Sequence, residues 1–530
     1  MDRPGPSGTL RAAERYRLRP GTAGRPRVGV GYPNTYHVAH SSLAFQWVAE
    51  LASRIPGVGV ERFVAEGPGA GRTLETEAPL GNLDVLAFTC SFELDAVNLI
   101  RVLEAAGISG YREERSDRDP LVILGGPVAT INPLPLSPAV DVFCLGAAEI
   151  LLPRLLGLLR ELPDRAVLLD RLAELDGFLV PSRHLDAGGR PLHRLRKLEK
   201  GRRLMEDPDL VPASWVITPH TEYGERGLVE MSRGCPEKCR YCWVSHNAGG
   251  LLAYPTGAIL ERVEQLSGIT RRVGLVATAV GDHPDLPRIL ERCRELGLDV
   301  ALSSLRIPAM VPEVLGPLAA SGARSVTIAP ETGSDTLRAA LDKHVTNAGI
   351  LEAVENAQRA GIPGLKMYFI VGLPGETDED VRSIATLARE VAGILRSYGR
   401  ERGHLGELHL GVNLLVPKPY TPYHAEPFLE EREARRRLDL LRRELRGIHN
   451  LSLERPSWRL ALWQVWLSRA GAGAFDSLLE MAHGEPLGPV LRRHRKAIER
   501  VAFRPANLGA PWHFIGSAPL RGTPGGVGNP

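Results

Sequence analysis

Between residues 27 and about 180 the chain alternates short apolar runs with stretches whose apolar residues recur every three to four positions. The runs are RVGVGYP (27–33), LDVLAFTC (83–90), LVILGGP (121–127) and VDVFCLGAAE (140–149), and helical periodicity follows in SSLAFQWVAELASRI and ELDAVNLIRVLEAAG. Such alternation predicts a parallel sheet with helices on both faces, a doubly wound, Rossmann-like α/β domain over residues 27–185. Ligands of these sheets sit at the carboxyl ends of the strands. Those ends carry Gly31, Gly125, Gly126 and Gly146 here.

Residues 186–220 break the pattern. GGRPLHRLRKLEKGRR is polar and strongly basic without an apolar stripe, which predicts a solvated linker, with contact to RNA or another polyanion as the alternative. Alternation resumes over 221–425, with candidate strands GLVEMS, VGLVATAV, LDVALSS, SVTIAP, LKMYFIVG and LHLGVNLLVP. Six strand–helix units predict a partial (β/α)6 barrel. Residues 426–518 read as a helical region, in which Trp458, Trp463 and Trp466 are interleaved with leucine and valine and are expected in a helix core. Residues 1–26, rich in Pro, Gly and Arg, and residues 519–530 read as a flexible leader and tail.

Composition narrows this little. Of the 530 residues, 43% are hydrophobic and 24% charged, and 65 basic side chains face 62 acidic ones. Near-balance gives no general argument for nucleic acid as a partner. No apolar run reaches 18 residues and the N-terminus has no apolar signal core, so neither a membrane span nor secretion is expected. Six cysteines, three of them within eight residues, do not make a disulfide framework, and a reducing cytoplasm is expected. Cys90, Cys144 and Cys293 fall in apolar patterns and read as small buried hydrophobes.

The other three cysteines carry the chemistry. SRGCPEKCRYCW places Cys235, Cys239 and Cys242 in one loop after the first strand of the second unit, and supplies no fourth. A structural zinc site closes with four protein ligands, for which His246 is the available completion. Iron–sulfur clusters also take thiolates, and a cluster held by three leaves one iron open to a substrate.

This Cys-x3-Cys-x2-Cys loop, with Tyr241 before its last cysteine, resembles the signature of radical S-adenosylmethionine (SAM) enzymes. The resemblance implies a 4Fe–4S cluster on Cys235, Cys239 and Cys242. It implies that SAM chelates the open iron and is cleaved reductively to a 5′-deoxyadenosyl radical. Later segments resemble the family in order. TIAPETGSDTLR places Glu331 at polar groups of SAM, and YFIVGLPGETDED places Gly372, Pro374 and Glu376 beside the adenine. NLLVPKPYTPYH brings Val416 there, SSLRI brings Ser304 and Arg306, and AVGDHPDL, which departs from the usual Gly-Gly-Glu, brings Gly281, Asp282 and His283. Arg306 suits the SAM carboxylate through a bidentate contact.

The order of the two α/β regions resembles the cobalamin-binding subgroup of that superfamily. GYPNTYHVAHSSLAFQWV, LVILGGPVATINPLPL and DVFCLGAAEILLPRLL resemble its first domain, which implies cobalamin contacts at Tyr32, Asn34, Gly125, Gly126, Gly146 and Glu149. No Asp-x-His-x-x-Gly motif supplies a lower histidine ligand, so no dedicated histidine arm is expected; His37 and His40 are the obvious stand-ins for a cobalt contact, and exposed loop or helix-start histidines are the favoured reading of both. The expected activity is cobalamin-dependent methylation or rearrangement of an unactivated carbon of a small molecule or peptide, with a flavodoxin- or ferredoxin-like electron donor. The alternatives are a methylthiotransferase acting on RNA or protein, and a non-enzymatic cluster- or cobalamin-binding sensor.

Overall fold

The computed structural model describes residues 10–19, 21–66, 70–162, 164–505 and 510–517. The first sheet has six strands: β1 (Arg27–Tyr32), β2 (Gly59–Val64), β3 (Val85–Thr89), β4 (Leu121–Gly125), β5 (Val142–Cys144) and β6 (Phe178–Leu179), in the order β2-β1-β3-β4-β5-β6. All neighbours run parallel except β5 and β6, which are antiparallel. Side chains alternate between the faces of a strand. Val85, Ala87, Leu121 and Ile123 therefore enter one core cluster, while Leu86, Phe88, Val122 and Leu124 enter another. Both faces are covered, which is why the runs read as continuously apolar.

β2 and β6 are additions to the predicted strands. β2 escapes a hydropathy reading because Glu61 and Arg62 lie within it, yet all six of its residues are buried. Arg62 has no exposed surface and ion-pairs with Glu14 at 2.8 Å and Glu75 at 2.7 Å. Glu14 belongs to the predicted flexible leader. That expectation fails for the described part of residues 10–26: strand Arg15–Tyr16 pairs antiparallel with Val216–Ile217 and brings Glu14 to Arg62. Residues 519–530 lie outside the described residues.

The second unit has seven parallel strands in two sheets. β7 (Gly227–Glu230), β8 (Arg272–Val276) and β9 (Asp299–Leu302) form one. β10 (Ser325–Glu331), β11 (Gly364–Val371), β12 (Leu408–Leu414) and β13 (Leu451–Glu454) form the other. A bond from the Leu305 amide to the Thr327 carbonyl at 2.9 Å bridges the gap between them. β13 lies within the mostly helical region 426–518; its apolar positions are only half-buried, so its pattern is weak. In helix Trp458–Arg469, Trp463 and Trp466 are core residues as expected.

The segment 186–220 is no free linker. Strand Leu195–Lys197 pairs with Ile515–Ser517, Leu198 bridges Gly146, and Lys197 and Lys200 are buried. The parts are joined by buried charge: Glu93, after β3, accepts from Lys418 after β12 and from Gln464 and Ser468 of helix Trp458–Arg469. No helix among the described residues is long and apolar enough to cross a membrane.

Candidate functional site

The cysteine loop leaves the carboxyl end of β7. Strands Ser232–Arg233 and Leu252–Ala253 pair antiparallel and close it at its base. Gly234 sits there with φ 76°, and a Cβ would lie 2.3 Å from the Gly250 carbonyl oxygen, so only glycine fits. Inside the loop the Cys242 amide donates to the Cys239 carbonyl at 3.0 Å, and the Arg240 amide donates to the Leu341 carbonyl at 3.0 Å. These bonds fold the three cysteines inward: Cys235 and Cys239 are buried and Cys242 is half-buried.

All three thiols line one cavity of about 160 Å³ together with Tyr241, Arg306 and Glu331. Ser304 lines it too, as do Glu237, Thr278, Lys343 and His344, which the motif comparison did not identify. Glu331 ends β10 in the left-handed region at φ 68°, unusual for a residue with a side chain. Its carboxylate accepts from the Tyr241 hydroxyl at 2.7 Å and from Lys343 Nζ at 2.8 Å. Arg306 is held between Asp282 and Glu237, the latter inside the cysteine loop. Burial pushes the Cys239 thiol up to about 11, while Lys343 pulls it the other way. Burial likewise raises Cys235, against the pull of Arg306. Two cations thus stand where thiolates must form for metal to bind.

The donor set discriminates between metals. Among the described residues no three His, Cys, Asp or Glu side chains converge to hold a single ion. His246, the candidate fourth zinc ligand, has its Nε2 3.2 Å from the Cys239 carbonyl oxygen. A cluster places each thiolate on a different iron and does not need them to meet at one point. The three thiols fit that group.

Other predicted contacts lie away from this cavity. Asp282 touches it only through Arg306, and Gly281 packs on Ala309, whose Cβ would be 2.3 Å from an added Cβ. His283 is buried, with Nε2 3.0 Å from the Tyr254 carbonyl. In the turn after β11, Glu376 accepts from the Gly372 amide at 2.8 Å and pairs with Arg437 at 2.6 Å. Burial pushes that carboxyl up to about 7. Gly372, Pro374 and Glu376 therefore shape a turn outside the cavity lining, and Val416 packs against the hydrophobic core.

At the carboxyl edge of the first sheet a second, apolar cavity of about 50 Å³ is lined by Gly125, Gly126, Gly146, Cys144, Leu151 and Ala148, among others. Two of the glycines have structural reasons of their own. A Cβ on Gly126 would lie 2.8 Å from the Cys90 carbonyl oxygen, and one on Gly146 would lie 1.9 Å from that of Leu198. Gly125 has no such crowding. Tyr32 and Asn34 do not line this cavity, and Asn34 donates to Asp95 at 2.7 Å. Glu149 is a buried hub: it accepts from Trp47 Nε1 at 2.9 Å, Arg233 at 2.8 Å and Lys200 at 3.4 Å. His40 is buried rather than exposed at a helix start; it stacks on Tyr36 and contacts Arg62, and burial lowers it to about 3. His37 sits on the surface 3.5 Å from Glu222. Cys90 and Cys293 are fully buried, as expected, whereas Cys144 is half-buried at the cavity.

Cavities of about 530 and 420 Å³ lie at the amino ends of the barrel strands, beside Arg272, Asp299 and Ser325. Parallel α/β units collect ligands at the other end.

Residues 53–181 match the family described as radical SAM proteins, N-terminal, and residues 229–388 match the radical SAM superfamily. An uncharacterised protein of Methanocaldococcus jannaschii is 26% identical over 410 residues, which cover 76% of this chain and 80% of that protein. A tRNA-2-methylthio-N(6)-dimethylallyladenosine synthase of Sorangium cellulosum is 27% identical over 383 residues, 66% of this chain and 70% of that one. The radical SAM methyltransferase TsrM of Kitasatospora setae, solved with cobalamin and a [4Fe-4S] cluster, aligns at a TM-score of 0.57 and 14% identity. That alignment covers 89% of this chain and 99% of TsrM, and at such identity it is a likeness of fold. With the cysteine loop inside the second matched segment, at the strand end where this architecture gathers its ligands, residues 229–388 form a radical SAM domain.

Proposed function

We propose that this chain is a radical SAM enzyme that works with cobalamin and methylates or rearranges an unactivated carbon. The observation that carries the reading is the single cavity in which three thiols face Glu331, Lys343 and Arg306. A 4Fe–4S cluster on Cys235, Cys239 and Cys242 would supply the electron that cleaves SAM to a 5′-deoxyadenosyl radical. The protein's own part is recognition. SAM presents an ammonium, a carboxylate and a sulfonium, and the cavity offers the complementary charges. Glu331 is the carboxylate for the ammonium, with its position fixed by Tyr241. Lys343 and Arg306 are the cations for the carboxylate. Burial of the thiols and the hairpin closing the loop keep bulk water from the reacting centre.

Support for cobalamin is the fold shared with TsrM and the apolar cavity at the carboxyl edge of the first sheet. Its lining of small and aliphatic side chains suits the edge of a flat heterocycle and contains no histidine. A volume of about 50 Å³ takes only part of such a cofactor. The methylthiotransferase reading draws on the tRNA-modifying relative. Against it, the first unit holds only Cys90, just after β3, and Cys144, at the end of β5, too few for a second cluster on three thiolates.

Protein incubated with hydroxocobalamin is expected to retain it through gel filtration. After reduction to cobalt(II), its paramagnetic spectrum should lack nitrogen splitting from a histidine. A histidine signal would contradict the ligation. Complete loss of cobalamin on the column would overturn the cobalamin reading and leave SAM cleavage standing alone.

A further inference from the structure

One cation in the core has no counter-ion. Arg469 ends helix Trp458–Arg469 and is 1% exposed. Its Nη1 donates to the Glu426 carbonyl at 2.9 Å, and its guanidinium stands 5.8 Å from the centre of the Trp512 ring. No carboxylate among the described residues pairs with it, and burial pulls its pKa down to about 10 with nothing to offset the cost. Arg62 and Arg338, which are as deeply buried, behave as buried cations ordinarily do. Arg62 pairs with Glu14 and Glu75, and Arg338 with Asp335. An unpaired charge in the interior is strongly destabilising, so Arg469 needs an explanation.

Two N–H groups at the same spot lack acceptors. Arg469 Nε and Trp512 Nε1 are shielded from solvent, and neither has a hydrogen-bond partner among the described residues. Trp512 is held through its carbonyl, which accepts from the Tyr420 hydroxyl. The Tyr420 carbonyl accepts in turn from Asn247 Nδ2 at 3.1 Å, and Asn247 ends the short helix that follows Cys242. On the other side, Ser468 donates to Glu93 at the carboxyl edge of the first sheet, and Glu93 also takes Lys418 from the loop after β12. The unpaired charge therefore lies at the junction of the first sheet, the barrel mouth and the helix leaving the cysteine loop.

We infer that Arg469 and Trp512 anchor a carboxylate carried by the substrate, which makes the substrate a small carboxylic acid. The inference rests on the proposed function and names the substrate class for it. A carboxylate brings one negative charge and two oxygens, which match one unpaired guanidinium and two unused N–H donors. A phosphate dianion fits less well, because the nearby cation Lys418 is already neutralised by Glu93. Both donors are enclosed, which suits the end of a small molecule. The anchor holds its ligand by charge and hydrogen bonds, with no covalent bond made or broken. Analogues in which the carboxyl is an amide or ester would leave the buried charge unpaired and be rejected.

The test uses the full-length, cluster-reconstituted chain, with sodium acetate as probe against sodium chloride at equal ionic strength. Thermal unfolding midpoints are read at one scan rate for wild type, R469M and W512F. In chloride, R469M is expected to unfold about 1–3 °C higher than wild type, since it removes an unpaired buried charge and keeps the bulk. Acetate should raise the wild-type midpoint and leave that of R469M unmoved. W512F keeps the charge and loses one donor, so it should need about 3–10-fold more acetate for the same rise. A lower midpoint or failure to fold in R469M would overturn the anchor and make Arg469 structural. No response of wild type to acetate would overturn it too, and would mean that enclosed water alone meets the N–H groups. A larger rise with inorganic phosphate than with acetate would overturn the carboxylate assignment. None of these readings needs turnover: if the chain cleaves no SAM, the proposed function fails, and the midpoints still decide whether an anion pairs with Arg469.

Discussion

Cys239→Ala is expected to abolish SAM cleavage and to lower bound iron to near background, with the fold retained. Cys239 is 6% exposed, its carbonyl accepts from the Cys242 amide, and its thiol lies within reach of Lys343's charge. A cluster that loses one of three thiolates has no substitute among the described residues, since the remaining cysteines sit on other elements. Cys293→Ala is the matched control. That thiol is fully buried in helix Leu286–Glu295, and its removal should cost stability on the order of 1 kcal/mol, with cleavage nearly intact. Anaerobic reconstitution followed by iron analysis and chromatography of 5′-deoxyadenosine checks both variants. Equal loss in the two would mean the ligands are misassigned.

The second large effect is on stability and falls on a residue the motifs assigned to a cofactor. Glu149 opens helix Ala148–Glu161 after β5, and its carboxylate ties together Trp47 of the first unit, Lys200 of the basic stretch and Arg233, two positions before Cys235. Its side chain is 1% exposed. Glu149→Ala leaves the buried Lys200 without its carboxylate and Arg233 with Glu230 alone, and a loss of about 3 kcal/mol is expected. The charge also sets a pH dependence. Against the cost of burial, Arg233 and Lys200 hold the Glu149 carboxyl down at about 2, from an ordinary 4.5. Its folded pKa is depressed, so its contribution is fully present above about pH 4.5 and is lost as pH falls through about 2. Denaturation midpoints of the metal-free protein should therefore fall for Glu149→Ala at neutral pH and converge with wild type in strong acid. A neutral-pH difference below about 1 kcal/mol would show that the hub holds nothing together.

These two residues show where the amino-acid sequence is legible and where it is not. The cysteines are adjacent in the chain, so their spacing carries the site directly, and the parallel strands announce themselves because both faces are apolar. Glu331 and Arg306 are legible only through motifs, and the fold does bring both to the thiols. Lys343 and Glu237 join them there without any signal in spacing: Lys343 is drawn in by Glu331, twelve residues earlier, and Glu237 by Arg306, distant in sequence. β2 is hidden by Glu61 and Arg62, which are buried only because Arg27, Glu14 and Glu75 come from elsewhere to pair with them. Gly126 and Gly146 mislead in the opposite sense. Glycine at a strand end suggests room for a ligand, but here the Cys90 and Leu198 carbonyls occupy that room. Glu149 lies at the loop end its motif predicts, with its carboxylate turned inward to cations that no local pattern reveals.

The most direct measurement of the central claim is iron, sulfide and 5′-deoxyadenosine analysis of the anaerobically reconstituted wild-type chain. A cluster on three thiolates predicts about four irons and four sulfides per chain, with 5′-deoxyadenosine formed from SAM once a strong reductant is added. About eight irons per chain, zinc alone, or a full complement of four irons with no cleavage of SAM would contradict it.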